Sequence, residues 1–199
     1  MLRVLGRKTS GNVQKVIWLL EEMGESYKRE DYGRQFNNTQ DAAYLALNPN
    51  GKVPTLIDGD TVVWESNTIL RYLANKRGSP LYPADAAGRG QVERWMDWQL
   101  AALNGPYLAI FRDAKKPEAE RSPSWSKDAE ELAQQLQILA GALKTGAWIA
   151  GGAMSLADIC LGPIIHRCLE FPIPLPALDR LQAWRGQVAA RPAFQKAVG

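Results

Sequence analysis

The proline of Asn50-Gly51-Lys52-Val53-Pro54-Thr55-Leu56 narrows the possible folds of this chain more than any other residue. Behind it, Thr55-Leu56-Ile57 and Thr61-Val62-Val63-Trp64 are two short β-rich runs joined by Asp58-Gly59-Asp60, a hairpin signal. Pro54 has no N–H for a sheet ladder. It belongs at an edge or at a cis peptide, where the backbone groups around it face something other than a neighbouring strand. Directly after the second run, Glu65-Ser66-Asn67 opens the helical pattern Ile69, Leu70, Leu73. A strand that runs straight into a helix whose first turn offers a hydroxyl and unsatisfied N–H groups makes an anion site.

The periodicity elsewhere divides the chain in two. Leu2-Arg3-Val4-Leu5 reads as a strand, and Gly6 to Asn12 as a polar loop. Val13, Val16, Ile17 and Leu20 then recur at helical spacing up to Gly24. Ser26 to Asp31 suggests a second strand, residues 33–44 are polar and irregular, and the helix of residues 66–77 ends at Gly78-Ser79-Pro80. This predicts a small mixed α/β domain over 1–78 and a linker over 79–90, rich in Gly, Pro, Ala and Asp. An all-helical domain is predicted over 91–199. In it, Val92, Trp95, Met96, Gln99 and Leu103 share a face, and Asn104-Gly105-Pro106 interrupts or kinks their helix. Leu132, Leu136, Leu139 and Leu143 follow, with Lys144 at the helix end and Gly146 after it. A last helix carries Leu178, Leu181, Trp184 and Val188 and ends near Arg191-Pro192. Ser155-Leu156-Ala157-Asp158 is a capping box, so Asp158 is assigned to folding rather than catalysis.

Composition removes several function classes. The 24 basic and 21 acidic residues are interspersed and leave a net charge of only +3, which gives no footprint for nucleic acid or an anionic membrane. No apolar run approaches the roughly 20 residues needed to span a bilayer, and no signal-peptide pattern opens the chain; a cytoplasmic protein is expected. Cys160 and Cys168 lie two helical turns apart, about 12 Å, too far for a disulfide. His166 is the only histidine and stands in no ligand pattern, so no metal is expected.

The proline segment, the Glu65-Ser66 helix start and the capping box, in this order, resemble the cytosolic glutathione transferases of the serine, theta-like or bacterial type, over nearly the whole chain. The resemblance implies a thioredoxin-like βαβαββα first domain that binds glutathione and an all-helical second domain. It implies that Val53, before a cis Pro54, pairs its backbone with the cysteinyl part of glutathione. It also implies that Glu65 and Ser66 hold the γ-glutamyl end and that Lys52 meets the glycyl carboxylate. Glutathione is then a co-substrate and there is no prosthetic group. The electrophile pocket is expected between the domains, with Trp98, Asn104 and Tyr107 as lining residues, and the protein is expected to be a homodimer.

The chemistry of that family needs a thiolate, because the thiolate is the nucleophile. A thiol of pKa 8.5 is only about 3% ionised at pH 7; lowering its pKa by two units ionises about three-quarters and corresponds to ~2.7 kcal/mol. A hydroxyl or amide aimed at sulfur favours the charged form, and so does the positive end of a helix. Alignment of the first helix with the serine-type enzymes brings Ser10 onto their activating serine, with Thr9 and Asn12 near enough to share the role. Ser10 or Asn12 is also a natural N-cap, and the two roles are compatible. Leu5 stands where tyrosine-type members keep a tyrosine. No cysteine precedes residue 160, which removes dithiol exchange at this loop.

Two other reactions fit the same fold: glutathione-dependent peroxide reduction and isomerisation of a maleyl-type diacid. Relatives that isomerise typically carry Ser-Ser-Cys, which Thr9-Ser10-Gly11-Asn12 is not. A non-catalytic binding module usually loses the Glu-Ser pair or the activating loop, whereas this chain keeps Ser10, Glu65 and Ser66. The expectation is an enzyme that transfers the glutathione thiolate to a small electrophile in detoxification.

Overall fold

The computed structural model describes residues 1–143 and 147–199. They form two compact units, Met1–Tyr82 together with Ala189–Gly199, and Pro83–Val188.

The first unit is a thioredoxin-like α/β domain. Its elements are β1 (Leu2–Leu5), α1 (Gly11–Glu22), β2 (Tyr27–Glu30), a 3-10 turn (Arg34–Phe36), α2 (Ala42–Leu45), β3 (Thr55–Asp58), β4 (Thr61–Trp64) and α3 (Ser66–Arg77). The sheet order is β2-β1-β3-β4, with β1 and β2 parallel and the other pairs antiparallel. Parallel neighbours need a crossover, and α1 supplies it. Its apolar positions Val13, Val16, Ile17 and Leu20 are buried, as are Ile69, Leu70 and Leu73 of α3 and Val4 and Leu56 of the sheet. Each helix thus carries an apolar stripe of period 3.6 into one core. Gly78 ends α3 in the left-handed conformation, at φ +59°, where a side chain would be strained. The irregular stretch over 33–44 holds only two short turns, because Arg34 and Asn37 sit at positive φ and interrupt a regular helix.

Within the 91–199 segment expected to be one helical domain, residues 189–199 group with the first unit. Pro192 cannot continue a helix but suits the first turn of a new one, so α9 (Pro192–Val198) starts there. Phe194 of α9 meets Trp18 of α1 edge to face, with ring centroids 4.9 Å apart.

The second unit is helical: α4 (Ala86–Trp98), a π-helical turn (Gln99–Leu103), α5 (Asn104–Asp113), a 3-10 turn (Glu118–Glu120), α6 (Trp125–Ala142), α7 (Leu156–Cys168) and α8 (Asp179–Ala189). The expected interruption at Asn104-Gly105-Pro106 is instead a widened turn just before it. Pro106 offers no N–H to the carbonyl four residues back, and the helix accommodates this by widening rather than stopping. Lys144 and Gly146 lie outside the described residues. Ser155 and Asp158 form the capping box, and Asp158 Oδ1 also accepts from the Ile149 N–H at 3.0 Å and from Trp184 Nε1 at 2.9 Å. Burial pushes the Asp158 carboxyl up, and these donors oppose that shift. Cys160 and Cys168 are buried and form no disulfide, and burial pushes Cys168 well above the usual thiol range. No helix among the described residues is long and apolar enough to cross a membrane.

Candidate functional site

Strand register puts the three predicted segments at one end of the sheet. Leu5, the last residue of β1, pairs with Thr55, the first of β3, and Thr55 pairs with Trp64, the last of β4. The loop after Leu5, the Val53-Pro54 segment before Thr55 and the Glu65-Ser66 helix start after Trp64 therefore leave the sheet side by side. Three strands span about 10 Å. The first loop and the proline segment approach closely: a Cβ on Gly6 would stand 3.3 Å from Val53 Cβ and 2.4 Å from Val13 Cγ2. Only glycine fits there.

Ser10 is the N-cap residue of α1. Its carbonyl accepts the first helical bond from Gln14 N–H at 2.9 Å, yet its side chain makes no cap bond. Ser10 is 7% exposed, and its hydroxyl has no protein partner among the described residues. A hydroxyl at the positive end of a helix and not committed to capping is available to a ligand. Thr9 and Asn12, the other two candidates, are exposed. Asn12 already lies inside the first helical turn, so it is not the cap.

The Val53-Pro54 peptide is cis. Neither the N–H nor the C=O of Val53 bonds to another described backbone group. The segment is held from behind, by residues that sequence reasoning passed over. Tyr44 donates its hydroxyl to the Lys52 carbonyl at 2.6 Å, and Asn48 Nδ2 donates to the same carbonyl at 2.8 Å. Asn48 also donates to Thr55 Oγ1 at 3.0 Å, which lies 2.9 Å from the Tyr44 oxygen. All three side chains are buried. Tyr44 and Asn48 stand one helical turn apart, and that i, i+4 spacing just before the Asn50-Gly51 turn was the available signal.

At the head of α3, Glu65 is the N-cap, at φ +69°, a conformation that non-glycine residues rarely adopt. Such strain concentrates at ligand clamps and costs about 1–3 kcal/mol. Ser66 follows as the first helical residue, 4% exposed. It has no side-chain bond to another described residue. Asn67, also buried, accepts from the Lys15 ammonium of α1 at 3.4 Å, which ties the first turns of α1 and α3 together.

Beside Val53 lies a cleft of about 210 Å³ bordered by Arg7, Arg34 and Lys52 together with Gly33 and Thr39. Arg34 is held there at φ +46°, and Asn38 clamps the preceding turn by accepting from Gly33 N–H at 3.0 Å and donating to the Asp31 carbonyl at 3.1 Å. Three basic side chains around one cleft suit a carboxylate. Lys52 was expected from the sequence; Arg7 and Arg34 were not, since isolated basic residues in polar loops read as solvated surface.

Trp98, Asn104 and Tyr107 belong to the helical unit. Trp98 packs edge to face on Trp95 at 5.4 Å, and Tyr107 packs between Phe111 and Phe171 at 5.7 and 6.0 Å. His166 accepts from Arg185 Nε at 3.2 Å on the surface of the same unit; burial, and then the charge of Arg185, lower its pKa. No cluster of three or more potential metal ligands occurs among the described residues.

Comparison with known proteins shows the family of the chain. Residues 2–75 match the family model of the glutathione S-transferase N-terminal domain, and residues 104–192 match that of the C-terminal domain. The chain is 34% identical to glutathione S-transferase GstB of Escherichia coli over 203 residues, covering 100% of this chain and 98% of that protein. A theta class glutathione S-transferase from Xanthomonas axonopodis pv. citri, solved with glutathione bound, superposes with a TM-score of 0.94 at 39% identity, over 99% of this chain and 96% of that one. A glutathione S-transferase from Pseudomonas fluorescens superposes with a TM-score of 0.87 at 31% identity, over 96% of each chain.

Proposed function

This chain belongs to the glutathione S-transferase family, and on that premise we propose that it ionises the glutathione thiol at Ser10 and transfers the thiolate to a small electrophile. One observation carries the reading: the register Leu5–Thr55–Trp64, which brings an uncommitted hydroxyl, an unpaired backbone segment and a helix start to one end of the sheet. A tripeptide with a carboxylate at each end and a thiol in the middle matches those features in order. The γ-glutamyl end meets Glu65 and Ser66, the cysteinyl backbone pairs with Val53 ahead of Pro54, and the glycyl carboxylate faces Lys52 in the basic cleft. The thiol then faces the loop of Thr9, Ser10 and Asn12. Ser10 is the primary donor because it is buried and does not use its hydroxyl to cap α1; Thr9 and Asn12 are secondary.

The electrophile is assigned to Trp98, Asn104 and Tyr107; Trp98 and Asn104 are partly exposed, and Tyr107 is buried against Phe111 and Phe171 behind them in this reading. The reading extends to a detoxifying role in the cytoplasm and to a homodimer, for which a sedimentation mass of twice the chain mass is expected; the mass of a single chain at micromolar concentration contradicts the dimer. Peroxide reduction and maleyl isomerisation are not favoured. Steady-state assays with a chloronitrobenzene, a hydroperoxide and a maleyl diacid separate the three reactions. Thiol-dependent turnover of the first is expected, and turnover of none removes the transferase reading. Retention on immobilised glutathione, lost in Ser66→Ala, is expected; a variant retained like the wild type takes Ser66 out of the site.

A further inference from the structure

We infer that Lys15 is a positioning residue whose buried ammonium lowers the pKa of the bound thiol from behind the site; this rests on the glutathione reading above. Lys15 is 0% exposed, and a lysine is almost never fully buried unless its ammonium is paired. It lies five residues into α1 from Ser10, and its Nζ donates to Asn67 Oδ1 at 3.4 Å, the residue directly after Ser66. Side chains on a helix lean toward its N-terminus, so the ammonium stands between the first turns of α1 and α3. Those are the two helix starts that carry Ser10 and Ser66.

A lysine that served only to fill space would be replaced at no loss by an apolar chain of similar length, because burying a cation is costly. Here the cation adds a full positive charge to two helix ends that already favour an anion. Five residues at a rise of 1.5 Å set Lys15 about 7.5 Å along α1 from Ser10, which with the reach of the side chain keeps the ammonium within about 10 Å of the N-cap loop. At that range, in a medium of effective dielectric near 20, a unit charge moves a thiol pKa by about one unit. Glu21 and Glu22 pair with Lys196 and Arg191 at the far end of α1, Arg71 lies a turn further along α3, and Glu65 is exposed.

Two measurements on the full chain decide the matter. The first titrates the thiolate absorbance of bound glutathione in the wild type and in Lys15→Met, which keeps length and removes charge. A midpoint raised by about one unit is expected, a roughly tenfold loss of thiolate at pH values below the midpoint. An unchanged midpoint in a folded variant overturns the role of Lys15, whereas a wild type that does not ionise bound glutathione overturns the site reading itself. The second needs no substitution and decides even where Lys15→Met does not fold. The Lys15 Nζ resonance of the wild type, followed by NMR, should be that of an ammonium at pH 7. It should shift as the thiol ionises in the glutathione complex and stay fixed across the same range with S-methylglutathione. A neutral Nζ, or the same behaviour in both complexes, overturns the inference.

Discussion

Arg191 forks onto both oxygens of Glu22, at 2.5 and 2.7 Å, and so fastens the last residues of the chain to the C-terminal end of α1, the helix whose other end carries Ser10. Trp18 Nε1 donates to the same carboxylate at 2.8 Å. Burial pushes the Glu22 carboxyl up, but the bonds from Arg191 and Trp18 outweigh it and hold it below its ordinary range. A group with a depressed folded pKa contributes stability above its unfolded value, and loses it as pH falls through the folded one. Arg191→Met should therefore cost about 1–2 kcal/mol at pH 7, the lower part of the range for a charged hydrogen bond because the pair is partly exposed. The cost should shrink as pH falls below about 4.5. Urea unfolding at pH 7 and pH 3 checks both, and an equal cost at the two values contradicts the pair's contribution.

Glu65 at φ +69° separates stability from binding. Glu65→Gly relieves the strain while loosening the unfolded chain, so folding stability should stay within about 1 kcal/mol of the wild type. Retention on immobilised glutathione should fall, because the carboxylate assigned to the γ-glutamyl end is gone. Thermal unfolding and affinity retention together test this; a variant that binds like the wild type removes Glu65 from the site.

The buried Tyr44–Asn48–Thr55 group predicts an effect on binding from residues that touch no ligand in this reading. Tyr44→Phe removes the hydroxyl that holds the Lys52 carbonyl and leaves Asn48 as its remaining donor. About 1–2 kcal/mol of stability should be lost. Titration calorimetry should show glutathione bound several-fold more weakly, through a less ordered Val53. Unchanged affinity at reduced stability would confine this network to folding.

Asp158 gathers the Ile149 and Ser155 N–H groups and the Trp184 indole. Asp158→Ala leaves three buried donors without an acceptor, and should cost about 3–5 kcal/mol, near the limit of what such a chain tolerates. Soluble yield and denaturant midpoint should both drop sharply, whereas any variant that remains folded should keep glutathione-dependent turnover. A mild loss of stability with abolished turnover would reverse the assignment of Asp158 to folding.

Much of this was legible in the sequence where the signal is local and periodic. The 3.6 spacing of Val13, Val16, Ile17 and Leu20 gave α1, Glu65-Ser66 marked the start of α3, and Ser155 with Asp158 marked a cap. What escaped depends on tertiary packing. Neither the burial of Lys15 nor the convergence of Arg7 and Arg34 on one cleft follows from neighbours in sequence. The helix that ends near Arg191-Pro192 was legible, since α8 stops at Ala189; the start of α9 at Pro192 was not, because proline punctuates in both directions and the packing of Phe194 on Trp18 is tertiary.

The central claim is that the Ser10 hydroxyl holds the thiolate, and the most direct measurement is the thiolate absorbance of bound glutathione titrated in the wild type and in Ser10→Ala. Because that hydroxyl caps nothing, the variant should unfold at the wild-type temperature. Its thiol midpoint should rise by about one to two units, matching the ~1.5–3 kcal/mol of a hydrogen bond to a charged group, and turnover should fall roughly ten- to a hundredfold. A shift seen in Thr9→Val or Asn12→Ala instead would move the role within the loop. The same midpoint in the wild type and in all three variants would contradict side-chain stabilisation of the thiolate altogether.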